Sequence, residues 1–471
     1  MPPSAAEGSL LSSLRPLASR AAQQVAGKAS CAAPAAMSGA ALGAGASASA
    51  AAGLPQLIFT SSAAHGHMLP GHVEQPARVD MVMERLGAIT GSSAFQAQLH
   101  QLATPPPAPL EAVKAVHSYV DELRRTAERA GQEGQPAAVA DIGDPDGVTY
   151  VTGSSFDDAL RAAGAACTLV DAVVAASCVQ QAQQAQQAQQ QQQKAGSASA
   201  PAPPTPGLPS SLGAASSPSS AAAASASTPL GAGTAAFSIC RPPGHHATAD
   251  TPLGYCLFNN VALSARHAQR VHGLAKVLIL DFDLHHGNGT ADIFASDPSV
   301  LFIDTHEASS VYPPPFAPAG AEDVGEGLGR GATINVPLPR YAGDASMMHV
   351  FDGVVAPAAE RFRPDIILVS AGFDAHWRDP FQQLQLRSST YHRLACRLRE
   401  LAGRLCGGRL LFLLEGGYHT EAVAESVGEV FLALLGQPSE EGQREAALPH
   451  PEPLQEVEAL VARLRSIHGL Q

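Results

Sequence analysis

The sequence predicts an α/β protein with a mostly parallel central sheet and helices on both faces. Short apolar runs, rich in β-branched residues and leucine, recur along the chain, and helix-like stretches separate several of them. The runs are apolar throughout instead of alternating with polar residues, which is typical of strands that are buried on both sides. Strands of this kind need helices above and below them, which gives the predicted architecture.

Five strands and three helices follow from these patterns. The strands are expected at residues 235–240, 276–283, 299–306, 365–374 and 409–417. Two helices are expected at 259–273 and 388–405. The C-terminal stretch "LQEVEALVARLRSIH" predicts a third, which packs on the core through one face formed by Leu454, Val457, Val461 and Leu464.

Two segments have a composition that predicts disorder. Residues 1–54 are rich in Ala and Ser and contain one acid, Glu7, which is typical of an organellar transit peptide. The stretch "VAGKASCAA" favours a plastid over a mitochondrion. The alternative is an Ala-rich tail without an address, which would leave the protein in the cytoplasm or nucleus.

The second biased segment, residues 179–235, is rich in Gln, Ala, Ser and Pro and has few large apolar residues that could offset its ordering entropy. We interpret it as a disordered insertion within one catalytic domain at 55–436, either a docking arm or a tolerated expansion. Residues 437–471 then form a C-terminal extension that carries the packing helix.

Charge and cysteine content exclude several classes of protein. The formal charge of −13 and the lack of a Lys/Arg cluster argue against a nucleic-acid surface and agree better with basic partners. The seven cysteines form no CxxC pair, which indicates free thiols in a reducing compartment. Apolar runs are broken before they reach about 18 residues, so we expect no transmembrane helix.

Polar residues follow each of the five predicted strands. The motifs are "RPPGHH", "DLHHGN", "DTH", "FDAH" and "EGGY". Because the carboxyl ends of parallel strands meet at one edge of a sheet, where ligands bind, we expect an active site there.

Three of these residues form a candidate metal site. Asp283 and His285 are two positions apart at a strand end, so their side chains can reach one cation. Asp374 is the best third ligand, at the end of another strand. Two carboxylates and one imidazole with an open position suit a catalytic Zn²⁺, although Fe²⁺ or Co²⁺ would also be accepted.

The neighbouring motifs add groups that can handle protons. His245 and His246 follow a rigid Pro-Pro-Gly stretch, and each needs its own partner to fix its tautomer. Glycines 416 and 417 let the backbone approach a substrate, so that Tyr418 presents a neutral donor toward the metal.

Together these motifs resemble the zinc-dependent histone deacetylase family, in particular its class II branch. The resemblance covers roughly residues 57–436 and rests on "CRPPGHHA", "GYCLFNN", "DFDLHHGNGT", "VGEGLGRGATINVPLP", "ILVSAGFDAHWRDP" and "LEGGY". The segment "SFDDALRAAGAACTLVDAVVAAS" and the ending "RSIHGL" are similar to the plant and algal organellar members. The resemblance implies the arginase/deacetylase α/β fold and hydrolysis of Nε-acetyl-lysine in acetylated proteins. From the charge and the lack of a long apolar run we expect no direct binding to nucleic acid or membrane.

The resemblance also implies a role for each matching residue. One catalytic zinc is held by Asp283, His285 and Asp374. The proton-handling and orienting groups are the general base and acid His246, its electrostatic partner His245, the carbonyl-polarising Tyr418, and the hydrogen-bonding partners Asp281 and Asn288. The substrate channel is expected to run past Gly254, Tyr255 and Tyr312.

The chain departs from the family pattern at two places that affect this interpretation. Asp304 stands where relatives usually carry serine, beside a monovalent-cation site near Asp281, so we expect a K⁺ ion there or a change in the pKa of the adjacent histidine. The stretch "PPPFAPAG" replaces the usual Pro-Gly-Thr-Gly after Tyr312, which predicts a stiffer rim. Arg78 is a candidate lining residue of an inner cavity.

Three other interpretations come from different classes of protein. A ureohydrolase of the same fold needs two manganese ions and further bridging aspartates, which the single Asp-Leu-His set does not supply. A binding module without activity predicts the loss of a ligand or of Tyr418, and all of these residues are present. A small-molecule amidohydrolase acting on acetylpolyamines or other N-acetylated amines stays open, as does the oligomeric state.

Overall fold

The computed structural model describes residues 56–90, 97–138, 147–197, 233–313, 316–441 and 447–471. These residues belong to one compact unit that extends to the C-terminus. The predicted leader, 1–54, and residues 198–232 of the predicted insertion lie outside the described ranges.

Eight strands form one sheet in which every neighbouring pair is parallel. Its strands are β1 (Leu57–Ser62), β2 (Leu99–Gln101), β5 (Ala235–Cys240), β6 (Val277–Asp281), β7 (Val300–Glu307), β8 (Thr333–Leu338), β9 (Ile366–Ala371) and β10 (Leu410–Leu414). Their order is β2-β1-β5-β10-β9-β6-β7-β8. Two short strands, β3 (Ala137–Ala138) and β4 (Tyr150–Val151), pair separately and antiparallel. The parallel α/β fold that the sequence predicts is confirmed.

Helices cover the sheet. They are α1 (Ala77–Thr90), α2 (Leu110–Lys114), α3 (Val120–Glu133), α4 (Ser155–Ser197), α5 (Asn260–His272), α6 (Asn288–Phe294), α7 (Asp344–Val350), α8 (Ala356–Phe362), α9 (Ser388–Leu405), α10 (Thr420–Leu434) and α11 (Leu454–His468). A π-helical turn, Phe351–Val355, joins α7 to α8.

The strands are apolar at every position because each face of the sheet has its own hydrophobic core. In β9, Ile367 and Val369 pack into the core with α1 and α7–α11. Their neighbours Ile366 and Leu368 pack into the opposite core with α4–α6. Each fully buried side chain of this kind contributes about 1.5–3 kcal/mol, so both layers of helices stabilise the sheet.

Helix α4 differs from the predicted disorder of residues 179–197, and it is also longer and more apolar than the sequence analysis expected of any helix. Residues 179–197, assigned from the sequence to a disordered insertion, are helical here, because Gln and Ala are good helix formers and no Gly or Pro interrupts them before Gly196. By length and composition the helix could also cross a membrane over Ser155–Gln193, but 61% of its most apolar window is buried inside the protein. It packs against β5 and α5, so its apolar character is explained by the core.

The C-terminal helix α11 closes the core as predicted, apart from its first residue. Val457, Val461 and Leu464 are buried, whereas Leu454 is 43% exposed because it lies at the start of the helix. The contact is close: a Cβ on Gly353 would lie 2.5 Å from Val461 Cγ1. Ahead of α11, the Glu452 carboxylate accepts hydrogen bonds from the first backbone N–H groups of α7, a stabilising position for an anion.

His117 links two positions in the segment between β5 and α5, which carries the motif "RPPGHH". Its Nδ1–H donates to the Thr248 carbonyl at 2.8 Å, and its Nε2 accepts from the Asn259 N–H at 2.9 Å. A ring that donates from Nδ1 and accepts at Nε2 must be neutral, because a protonated imidazole has no nitrogen left to accept a hydrogen bond. Burial agrees with this, since it lowers the pKa of His117 from 6.5 to about 4.

We expect His117 to make the protein less stable in mild acid. The unfolded chain takes up a proton below pH 6.5 while the folded ring stays neutral down to about pH 4, so stability is lost as the pH falls through this window. Between these two pH values the free energy of unfolding should fall by about 3 kcal/mol more in the wild type than in His117→Gln. Urea denaturation at a series of pH values measures the difference, and equal pH dependence would contradict the assignment.

Candidate active site

The sheet order brings together the strand-end motifs. Strands β10 and β9 lie between β5 and β6, and β7 is on the far side of β6, so five consecutive strands end at one edge. Motifs that are far apart in the sequence therefore converge at the carboxyl ends of the strands, where ligands bind in sheets of this type.

Asp283, His285 and Asp374 meet at this edge. Their candidate ligand atoms lie within 4.8 Å of one another. His285 Nδ1 is 3.2 Å from Asp283 Oδ1 and 3.0 Å from Asp374 Oδ2. The aspartates are buried and His285 is 24% exposed, so the cluster opens on one side. One imidazole and two carboxylates fit a divalent metal such as Zn²⁺.

Backbone N–H groups orient both carboxylates. The Leu284 N–H donates to Asp374 Oδ1 at 2.9 Å, and the Gly416 N–H donates to Asp283 Oδ2 at 2.8 Å. The other oxygen of each carboxylate, Oδ1 of Asp283 and Oδ2 of Asp374, lies next to His285. Such outer hydrogen bonds fix the orientation of metal ligands and support metal affinity.

Two glycines leave room for these carboxylates. A Cβ on Gly372 would lie 1.9 Å from Asp283 Oδ2, and a Cβ on Gly416 would lie 2.5 Å from Asp374 Oδ2. Neither distance is compatible with a side chain, so both positions require glycine for close approach.

The adjacent histidines differ in their partners and in their charge. His245 Nδ1 is 3.0 Å from Asp281 Oδ2, and His246 Nδ1 is 2.7 Å from Asn288 Oδ1. Burial and the neighbouring charges of His245 and His285 lower the pKa of His246 well below its usual range. Burial alone would lower the pKa of His245, but the neighbouring Asp283 and Asp281 outweigh it and raise this pKa well above its usual range. The pair thus combines a neutral imidazole with a cationic one.

Tyr418 lies beside this cluster, and its backbone N–H donates to Asp379 Oδ2 at 2.8 Å. Burial raises the pKa of Tyr418 well above its usual range, so its hydroxyl remains a donor at neutral pH. The Arg78 guanidinium lies 5.2 Å from the centre of the Tyr418 ring.

Aromatic rings surround the open side of the cluster. The Tyr255 and Tyr418 rings are 5.9 Å apart edge to face, and the Tyr312 ring is 5.1 Å from the ring of His246. A Cβ on Gly254 would lie 2.4 Å from His246 Cδ2 and 2.7 Å from the Tyr312 hydroxyl, so only glycine permits this approach. The predicted channel residues therefore lie together beside the histidine pair.

Phe381 also belongs to this wall, and the sequence analysis missed it. Its ring lies 5.0 Å from His285 and 5.5 Å from Tyr418. It is 38% exposed, so it lies at the solvent side of this wall. Its position after the strand-end motif "FDAHWRDP" is the one local signal that could have indicated it.

A buried ionic network lies under the site and was also missed, apart from Arg78. Arg78 donates from Nε to the Gly417 carbonyl at 2.5 Å and from Nη1 to Glu74 Oε1 at 3.0 Å. Arg241 pairs with the same Glu74, with 2.5 Å between Nη2 and Oε2. Arg78 thus holds the backbone that carries Tyr418.

Asp304 lies beside Asp281 in the β6–β7 register. Its Oδ2 accepts from His286 Nδ1 at 2.5 Å and from the Gly287 N–H at 2.9 Å, and its Oδ1 is 3.3 Å from His306 Nδ1. The carboxylate is therefore held between two buried histidines. A K⁺ ion near Asp281 and Asp304 stays a prediction.

A parallel α/β sheet whose edge holds a candidate metal-ligand cluster and a buried histidine pair has the groups that a hydrolase needs. Residues 72–434 match the histone deacetylase domain, and the chain belongs to the histone deacetylase family.

Relatives from plants resemble this chain over most of its length. It is 38% identical to "Histone deacetylase 10, chloroplastic" of Oryza sativa subsp. japonica, over 88% of this chain and 81% of the relative. It is also 38% identical to "Histone deacetylase 14, chloroplastic" of Arabidopsis thaliana, over 88% and 85%. Among solved structures, "Crystal Structure of HDA15 HD domain" matches with a TM-score of 0.64 and 26% identity, over 88% of this chain and 95% of that chain.

Replacing Gly372 with alanine should empty the metal site. The new Cβ would displace the Asp283 carboxylate, from which it would lie 1.9 Å away, and disturbed ligand orientation lowers metal affinity by roughly 10- to 100-fold or more. We expect bound metal, measured by mass spectrometry after dialysis, to fall by one equivalent per chain.

Gly403→Ala is the matched control for this variant, because a Cβ added at this position on α9 would meet nothing within 4 Å. It should keep the full metal content. Equal metal content in both variants would count against the site.

Proposed function

We propose that this protein is a zinc-dependent lysine deacetylase that hydrolyses Nε-acetyl-lysine side chains of proteins. The observation that carries the proposal is the convergence of Asp283, His285 and Asp374 with a neutral His246 and a protonated Tyr418 at one edge of the sheet. These are the groups that hydrolysis of an amide needs: a metal site, a base and an oxyanion donor.

The residues divide the reaction between them. His246 keeps Nδ1 on Asn288, so Nε2 accepts the proton of the attacking water. The Tyr418 hydroxyl donates to the carbonyl oxygen as negative charge develops there. A bound zinc ion supplies Lewis-acid chemistry, which polarises the acetyl carbonyl and acidifies water.

Completion of the reaction requires a proton on the leaving nitrogen. The C–N bond breaks, the proton from the histidine pair passes to the lysine amine, and acetate and lysine are released. His245, held cationic by Asp281 and Asp283, sits with its ring centroid 3.9 Å from that of His246. Its positive charge makes His246 a readier proton donor in this second step.

The aromatic wall supports acetyl-lysine as the substrate. Tyr255, Tyr312 and Phe381 present flat apolar surfaces beside the ligand cluster. A lysine side chain carries its acetyl group on four methylenes, and such a stem is stabilised by contact with apolar rings.

Hydrolysis of acetylpolyamines is the second candidate. This chain is 42% identical to mouse "Polyamine deacetylase HDAC10" over 206 residues, which is 43% of this chain and 30% of the relative. The same base, donor and ligand cluster would serve either substrate, so a direct comparison of the two substrates is needed.

Activity should depend on the proposed catalytic groups. With a fluorogenic acetyl-lysine peptide, we expect His246→Ala and Tyr418→Phe each to lower kcat by roughly 10²- to 10⁴-fold, because one proton carrier or one oxyanion donor is lost. A hydroxamate should inhibit the wild type. His65→Ala is the control, since His65 is exposed and pairs only with Asp80 among the described contacts.

The same enzyme should be offered acetylspermidine in parallel. A higher kcat/KM for the peptide supports the protein substrate, and a higher kcat/KM for acetylspermidine supports the second candidate. A folded, metal-loaded protein that hydrolyses neither would refute both.

We further propose a chloroplast as the location, which would make acetylated organellar proteins the substrates instead of nucleosomes. The support is the acid-poor composition of residues 1–54 and the names of the two plant relatives. A fluorescent protein fused behind residues 1–54 should enter plastids, and a fusion that lacks them should stay in the cytosol. Entry into mitochondria, or no difference between the two fusions, would contradict this location.

A further inference from the structure

We propose that Asp171, His267 and His272 form a second transition-metal site, on the surface and separate from the active site. Asp171 lies on α4, and both histidines lie on α5. These helices pack against each other on one face of the sheet, and the three residues form a group distinct from that of Asp283, His285 and Asp374. An ion at this position would link the two helices.

The three side chains converge on one point. Nε2 of His267 and Nε2 of His272 each lie 2.6 Å from the same oxygen, Asp171 Oδ1. The three candidate ligand atoms are within 4.8 Å of one another. The two rings are 5.7 Å apart at a steep angle of 70°, so they approach the carboxylate from different directions, as ligands around one ion do.

The donor set identifies the class of ion. Two imidazole nitrogens and one carboxylate oxygen suit Zn²⁺ and its borderline neighbours, with water in the remaining position. Around a tetrahedral Zn²⁺ the donor atoms would stand about 3.3 Å apart, so each imidazole nitrogen would move away from Asp171 Oδ1 by about 0.7 Å to admit the ion.

Charges of both signs surround the cluster, since Arg266 and Arg270 line the same surface cavity as Asp171 and His267. Helix α5 ends at His272, before Gly273 in a left-handed conformation, and the C-terminal end of a helix carries partial negative charge.

The site is open to solvent. Asp171 is 50% exposed, and the histidine side chains are 22% and 20% exposed. Asp171 and His267 also line a surface cavity of about 420 Å³. An ion can therefore enter without unfolding, which a proposed metal site requires.

Metal content tests the site without reference to activity. The full chain is dialysed against a buffer with micromolar free Zn²⁺ at neutral pH, and bound zinc is measured by mass spectrometry. We expect two equivalents in the wild type and one in Asp171→Asn or His272→Gln. Asp374→Asn should also hold one equivalent, at the surface site.

His65→Ala is the matched control, because His65 and Asp80 form an exposed pair with one histidine where the proposed site has two. It should hold two equivalents. A wild type with a single equivalent, or a second equivalent that survives both Asp171→Asn and His272→Gln, overturns the proposal.

Thermal unfolding gives an independent measurement. In the Asp374→Asn background, added Zn²⁺ should raise Tm, because an ion that binds only the folded state stabilises it. The rise should vanish when Asp171→Asn is added, and an unchanged rise in the double variant contradicts the site. Loss of the active site's function would leave this result unaffected, so the two proposals can fail separately.

Discussion

A cluster of buried carboxyl groups at the carboxyl edge of the sheet is the constraint on which the rest of the structure depends. Asp281, Asp283, Asp304, Asp374 and Glu415 are each at most 1% exposed, and an unpaired carboxylate in such a position costs several kcal/mol. Each one is compensated by backbone N–H groups or by a histidine. The sheet edge itself therefore holds the candidate metal ligands in place.

The buried carboxyl groups of Glu415 and Glu74 are also hydrogen-bonded or ion-paired. Glu415 accepts hydrogen bonds from the N–H groups of Gly244 and His245, which ties the end of β10 to the loop that carries the histidine pair. Glu74 forms ion pairs with two buried guanidinium groups, those of Arg78 and Arg241. These contacts tie the turn before Tyr418 to the loop after β5, and so they position the Tyr418 hydroxyl relative to His246.

The sequence determined much of this arrangement by itself. The five predicted strands lie within three residues of their observed bounds, and helices α5, α9 and α11 begin and end at or within one residue of the expected positions. Local periodicity decides such elements, because a buried strand must be apolar at every position and an amphipathic helix must repeat its apolar face. Asp283, His285 and Asp374 could be proposed as metal ligands from the sequence, since ligands bind at the carboxyl ends of the strands in parallel sheets.

Only the tertiary structure decided which distant residues meet. Phe381 reaches the wall of the site, and Glu74 binds Arg241, which is 167 positions away in the chain. The cluster of Asp171 with His267 and His272 joins residues about 100 positions apart on two packed helices. No local pattern records these contacts, because they depend on strand order and helix packing, which the whole chain determines together.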